Sequence, residues 1–303
     1  MHTEFEHTGA APPIDQLDGV DRFIWRTPFP GAADFRNSQL NSLLVLSIGS
    51  PLTLRVPPTL TQLTLTGELT AVAVDGLTAP EALVQLQGDV SGGLPHGITG
   101  VARLEVSDTA ELDLTPLDGM PALRELTVRN VLGRLSGCSA LAATGALERI
   151  GIFRCYDIDT AGFPVHADLP RLTWISISDV SAADATILRT RIDGFWNGHV
   201  HLARSRRWLE SHQNNPFSTW GDDSPALGPR ARCEWRRASA RLTVASTTDE
   251  KEAAIQGLAD ALDRMAADDP FDTLRREQAG DAIRDLATAQ LPVEHPLANW
   301  EPT

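Results

Sequence analysis

The segment Leu123-Arg124-Glu125-Leu126-Thr127-Val128 returns in altered form as Leu147-Glu148-Arg149-Ile150-Gly151-Ile152 and as Leu172-Thr173-Trp174-Ile175-Ser176-Ile177. The shared pattern is an apolar residue, two variable ones, an apolar residue, one variable residue and a last apolar one. Leu43-Leu46-Ile48, Leu60-Leu63-Leu65 and Val101-Leu104-Val106 are further copies, and a partial copy, Leu83-Leu86, ends in Gly88. Two apolar residues separated by one variable residue point to the same face of a strand. The third, three positions earlier, packs at the turn entering the strand. A single unit cannot bury its own apolar face, whereas units set side by side cover one another. The copies begin 17, 23, 18, 22, 24 and 25 residues apart between Leu43 and Leu172.

This spacing and pattern resemble leucine-rich repeats, whose period is 20–29 residues. The resemblance implies an α/β repeat fold: a right-handed leucine-rich-repeat-like β-solenoid over residues 39–190, with a parallel β-helix as the structural alternative. Short alternating runs, Leu52-Leu54-Val56, Val72-Val74 and Leu112-Leu114, lie between the main copies and read as strands on the opposite face. The family places Asn or Cys three residues after the last strand position. Only Cys155 stands there; Pro51, Glu68, Thr109, Val131 and Val180 occupy corresponding places, so the asparagine ladder is absent.

Residues 1–13 read as disordered. Arg22-Phe23-Ile24-Trp25-Arg26, beside the turn signal Pro28-Phe29-Pro30-Gly31, completes a segment 1–38 that serves as an N-terminal cap. Residues 191–303 are a different material. From Arg189 to Arg241 ten arginines stand against five acids, a balance of +5, while the rest of the chain balances −19. Trp196, Trp208, Trp220 and Trp235 fall here. The segment reads as a cap over the repeats, or more sharply as a basic, aromatic anion site. Leu202–His212 looks like a short helix and Gln213–Pro229 like a loop. A small α/β unit follows: a strand over Ala238–Ala245, then two helices. Thr247 with Glu250 forms a capping box. Ile255, Leu258, Ala259, Leu262, Met265 and Ala266 follow it on one helical face. The second helix spans about residues 273–289, with Leu274, Ala279, Ile283 and Leu286 inward.

The chain has 303 residues and a net charge of −14, which argues against a general nucleic-acid binder. Lys251 is the one lysine, a bias typical of bacterial chains from high-GC genomes. No run of apolar residues is long enough to span a membrane, and residues 1–13 lack a secretory signal pattern. Three scattered cysteines fit a reducing compartment. The expectation is a cytoplasmic protein without membrane or nucleic-acid partners.

No GxxxxGK[ST], GxSxG or HExxH motif occurs. His199-Val200-His201 puts two imidazoles on one side of a strand, but only Asp193 and His212 are near as further ligands, so no metal site is assigned. Cys155 has Arg154 and His166 near it in sequence, yet its repeat position explains it. Cys138 and Cys233 read as small apolar residues. The acid pairs Asp157/Asp159, Asp222/Asp223 and Asp268/Asp269 lie at turns and helix ends. No catalytic residue, metal or cofactor is assigned.

The variable strand positions remain. By register the concave face carries Val45, Ser47, Gln62, Thr64, Gln85 and Gln87, then Arg103, Glu105, Glu125, Thr127, Arg129, Arg149, Phe153, Trp174 and Ser176. Arg103, Glu105, Glu125, Arg129, Arg149, Phe153 and Trp174 form the expected partner site, with an aromatic centre and a charged rim. Phe153 and Trp174 serve either this site or contact with the C-terminal unit. The expected function is non-enzymatic recognition of a protein partner, of adaptor or immunity/inhibitor type, and the acidic chain suits a basic partner. One alternative is an enzyme using His199, His201, Arg204, Arg207 and Cys155 at the junction of repeats and C-terminal unit. Another is a self-associating structural protein.

Overall fold

The structure, a computed structural model, describes residues 4–12, 14–131, 133–195, 197–206, 208–209, 215–224, 226–291 and 295–300. The chain divides into two compact units, Met1–Leu209 and Glu210–Thr303. Trp196, Arg207 and His212, singled out in the sequence, lie outside the described residues.

Unit 1 is built on one ten-stranded parallel sheet. With strands numbered in chain order, it contains β1 (Glu4–Thr8), β2 (Arg22–Arg26), β4 (Ser42–Ile48), β6 (Gln62–Glu68) and β8 (Leu83–Asp89), followed by β9 (Arg103–Ser107), β11 (Glu125–Arg129), β13 (Arg149–Phe153), β15 (Trp174–Ser178) and β16 (Gly198–His201). The strands lie side by side in chain order. Two three-stranded parallel sheets accompany it: β3 (Gly31–Asp34), β5 (Leu52–Arg55) and β7 (Val72–Asp75), then β10 (Leu112–Asp113), β12 (Arg134–Ser136) and β14 (Asp157–Ile158).

This sheet system overturns the expected architecture, both the leucine-rich-repeat-like β-solenoid and the parallel β-helix. The apolar spacing specifies which residues of a parallel strand face inward. It does not specify how successive strands are assembled, and here the main strands hydrogen-bond into one continuous sheet.

The register explains the core. Phe23, Leu43, Leu63, Val84, Leu104, Leu126, Ile150 and Ile175 stand opposite one another across the sheet, and all are buried. Two residues on, Trp25, Val45, Leu65, Leu86, Val106, Val128, Ile152 and Ile177 form a second buried row. Leu54, Val74, Leu112, Leu135 and Ile158 of the small sheets join the same core. Each such side chain contributes roughly 1.5–3 kcal/mol on burial.

Two local expectations are corrected. Glu4–Thr8 is an edge strand, not disordered, because Glu4–Thr8 pairs with Arg22–Arg26 in parallel and Phe5 stacks on Phe23 with ring centroids 5.7 Å apart. Phe23 and Trp25 accordingly belong to the main sheet. In β4 the inward residues are Leu43 and Val45, preceded by buried Leu40; Leu46 is only partly buried. A register irregularity between Val45 and Ile48, with Ser47 at φ 59°, turns the chain there.

Gly67 and Gly88 end neighbouring strands with φ of 117° and 122°. A Cβ on Gly88 would lie 2.3 Å from the Gly67 carbonyl oxygen, so both conformation and space demand glycine. Gly49 has neither restriction, with nothing within 4 Å of its Cβ position.

Unit 1 also holds α1 (Ala182–Arg191), capped by Ser181, whose hydroxyl accepts from the Asp184 amide. Unit 2 is helical: α2 (Trp220–Asp223), α3 (Leu227–Val244), α4 (Thr248–Asp268) and α5 (Thr273–Gln290). The strand expected over Ala238–Ala245 is instead the last part of α3, and the expected loop before it contains α2 and the start of α3. Leu227, Ala231, Trp235, Ala238 and Leu242 recur at helical spacing and pack into the unit's core. That long period overrides the short alternation at its end. Pro229 sits in the first turn, where its missing N–H costs nothing. Leu274 is 61% exposed, not inward.

Substituting Gly88→Ala is expected to destabilise the protein by at least about 2 kcal/mol, while Gly49→Ala stays within about 0.5 kcal/mol, both read from urea midpoints. Thr247 and Glu250 cap α4 reciprocally, so Thr247→Ala should cost about 1 kcal/mol. The Ser246 and Thr247 backbone amides hold the Glu250 carboxyl below its usual range. Its contribution is complete above the unfolded carboxylate range and is lost as pH falls through the lower folded value. Glu250→Gln should therefore flatten the acid side of a stability-versus-pH curve.

Candidate functional site

Alternation along each main strand sends the residues between the buried ones to the opposite, outer face of the ten-stranded sheet. Parallel register arranges them in rows. One row runs Glu4, Arg22, Ser42, Gln62, Leu83, Arg103, Glu125, Arg149 and Trp174. The next runs Glu6, Ile24, Leu44, Thr64, Gln85, Glu105, Thr127, Gly151, Ser176 and His199. A third includes Gln87, Ser107, Arg129, Phe153, Ser178 and His201. All seven expected site residues lie on this face. Val45 does not; it is buried.

The face changes character from strand to strand. At its start Arg22 pairs with Glu4 at 3.3 Å and Arg26 with Glu6. In the middle it is a neutral amide network. Gln62 and Thr64 donate to Gln85 Oε1 at 3.2 and 3.0 Å, and Gln85 Nε2 donates to Glu105 Oε2 at 3.1 Å. Arg129 Nε donates to Glu105 Oε1 at 3.0 Å, and its guanidinium lies 4.4 Å from the Phe153 ring centre. The Arg149 guanidinium lies 5.0 Å from the Trp174 ring centre. Arg103 turns aside and donates to the Glu81 carbonyl at 2.9 Å. Glu125, between Arg103 and Arg149 in register, makes no ion pair among the described residues.

Partly exposed pairs of this kind contribute little to folding. A surface ion pair is worth about 0–1 kcal/mol and an exposed cation–π contact about 0.5–1 kcal/mol. Phe153 and Trp174 are nevertheless only half-buried. Gly151 lets the Phe153 ring lie flat along its own strand, since a Cβ there would meet Phe153 Cε2 at 2.6 Å.

The residues named for an enzymatic site are not brought together. His199 and His201 are exposed on the outer face with ring centroids 5.1 Å apart, whereas Cys155 is buried in the core. Burial pushes the Cys155 thiol up to about 12, and burial, aided by Asp159, does the same to Cys138. Neither is a thiolate at neutral pH. Arg204 is engaged by Asp179 at 2.7 Å and lies 4.2 Å from the Trp208 ring centre. A cleft of about 530 Å³ nearby is lined by Tyr156, Asp157, Asp184, Arg204 and Arg206, so its charges are mixed. Burial raises the Asp184 carboxyl above its usual range, reinforced by Asp157. Among the described residues no three His, Cys, Asp or Glu side chains converge as metal ligands.

A column of left-handed residues at the strand ends escaped the sequence reading. Ser47, Asp108, Asn130, Arg154 and Asp179 have φ between 53° and 59°, each two residues beyond the last inward strand residue. Asn130 Nδ2 donates to Asp108 Oδ1 at 2.8 Å. The signal was present as Ser, Gly, Gly, Asp, Asn and Asp at positions 47, 67, 88, 108, 130 and 179, residue types that accept or tolerate positive φ. At positions 67, 108, 130 and 179 it lies one residue before the place expected for an asparagine ladder. The following position is filled by apolar Val131, Cys155 and Val180, and by Thr109, whose hydroxyl donates to the Glu111 carbonyl.

No protein-family model matches the chain, and a search of curated proteins finds no match. No helix among the described residues is long and apolar enough to cross a membrane.

Cys233 is exposed while Cys138 and Cys155 are buried. The native protein should therefore titrate one thiol rapidly at neutral pH and three after unfolding. Rapid modification of Cys155 in the native state would contradict its placement.

Proposed function

We propose that the outer face of the ten-stranded sheet, from β9 to β15, recognises a protein partner, in an adaptor or inhibitor type of role. The observation that carries this reading is the pair Phe153 and Trp174. They stand half-exposed on adjacent strands, each beside an arginine, where a solvated sheet face needs neither aromatic. Arginine and aromatic residues are the side chains that dominate binding energy at interfaces. Around them Arg103, Glu105, Glu125 and Arg129 supply a polar rim.

The test is affinity capture from the native lysate with the wild type and with a Phe153→Ala/Trp174→Ala variant whose fold is first verified by circular dichroism and thermal melting. A specific protein retained by the wild type should lose about tenfold or more in affinity for the variant. Retention of the same partner with unchanged affinity would place recognition elsewhere.

A further inference from the structure

We infer that the β13–β16 end of this face receives an acidic segment of the partner protein, with an apolar side chain seated among its carboxylates. The inference rests on the reading of the face as a protein-binding surface and assigns that surface its ligand chemistry.

Charge is the first ground. The chain carries 40 acids against 26 basic residues. Yet the outward residues of the last three strands are Arg149, Gly151 and Phe153, Trp174, Ser176 and Ser178, and His199 and His201, without one carboxylate. Two of the nearest carboxylates are held by arginines. Glu105 is held by Arg129, and Asp179 by Arg204. Glu125 stands beside Arg149 in register on β11 without an ion pair among the described residues, and Glu148 precedes β13, so the carboxylate-free area begins at β13 itself. Arg149, by contrast, is exposed, lies against Trp174 and has no ion pair among the described residues. A guanidinium backed by an aromatic ring donates charge-assisted hydrogen bonds to a carboxylate, and two exposed imidazoles offer further N–H donors beside it. On a chain of this net charge, such a local reversal is the complementarity an acidic ligand requires.

Shape is the second ground. Parallel neighbours lie about 4.8 Å apart, so two strand spacings separate the Phe153 column from the imidazole column by roughly 10 Å. Between them, on β15, stand Ser176 and Ser178, with Trp174 at the start of that strand. Serines in place of larger side chains keep β15 low between Phe153 and the imidazoles, and the inference seats the ligand's apolar side chain there. The whole-chain charge, taken alone, favours a basic partner, but binding is decided by the groups at the contact.

The test uses the full-length protein and three fluorescein-labelled decapeptides: Glu and Ser around a central Phe, and two twins in which every Glu is Gln or Lys. Fluorescence anisotropy should show the Glu peptide binding about tenfold or more tighter than either twin. Arg149→Glu should abolish that preference, His199→Ser/His201→Ser should reduce it, and Phe153→Ala/Trp174→Ala should weaken the Glu peptide. A preference for the Lys peptide that disappears in Phe153→Ala/Trp174→Ala overturns the acidic ligand and leaves the surface reading standing. Binding that is indifferent to Phe153→Ala/Trp174→Ala overturns both. Equal binding of all three peptides, or no saturable binding of the Glu peptide, overturns the inference.

Discussion

Everything in unit 1 depends on how each main strand ends. The chain must turn sharply at the same height on every strand, and it does so through a residue of positive φ two places beyond the last buried side chain. Backbone bonds link these turns across strands: the Asp108 amide donates to the Arg129 carbonyl, Asn130 to Phe153, Arg154 to Ser178 and Asp179 to Leu202, at 2.9 to 3.1 Å. For a residue other than glycine this conformation costs of order 1 kcal/mol, and Asn and Asp offset part of that through local side-chain bonds. The aligned turns hold the register. The register in turn decides which side chains are buried and which share a row on the outer face.

The outer face is therefore a product of the same constraint as the core, although its composition is free to vary. Its charge moves from paired Arg and Glu, through neutral Gln and Thr, to an arginine- and aromatic-rich end. None of these contacts is large enough to explain its presence by folding stability alone. The contrast between the half-exposed aromatics and the modest energy of the pairs around them is what sets β13 and β15 apart from β6 and β8, where amide groups satisfy one another.

Much of the strand content could be read from residue patterns. The inward pairs such as Leu63/Leu65, Leu126/Val128 and Ile175/Ile177 follow from alternation, which acts over two residues and needs no distant information. The assembly did not follow, because sheet connectivity depends on hydrogen bonds between segments about twenty residues apart. The inward positions of β4 were displaced by three residues because Leu43, Leu44, Val45, Leu46 and Ile48 are all apolar, so composition could not distinguish the faces. The end of α3 read as a strand for the opposite reason: an eight-residue window contains alternation that an eighteen-residue window resolves as a helix. His199 and His201 were seen as a pair, but their place beside Ser176 and Ser178 is set by strand pairing and has no mark in the local sequence.

The sheet's strand order is also its chain order, and this governs how such a chain can assemble and change. Parallel sheets usually require contacts between distant segments, whose loop-closure cost slows folding. Here each strand pairs with the one roughly a single unit earlier, so the sheet can grow by addition at a moving edge, each step closing a loop of similar length. The same topology makes the chain modular to duplication or loss. Removing or copying one strand with its connection alters the extent of the outer face while leaving the pairing rules of all other strands intact, so the width of that face can change without redesigning the core.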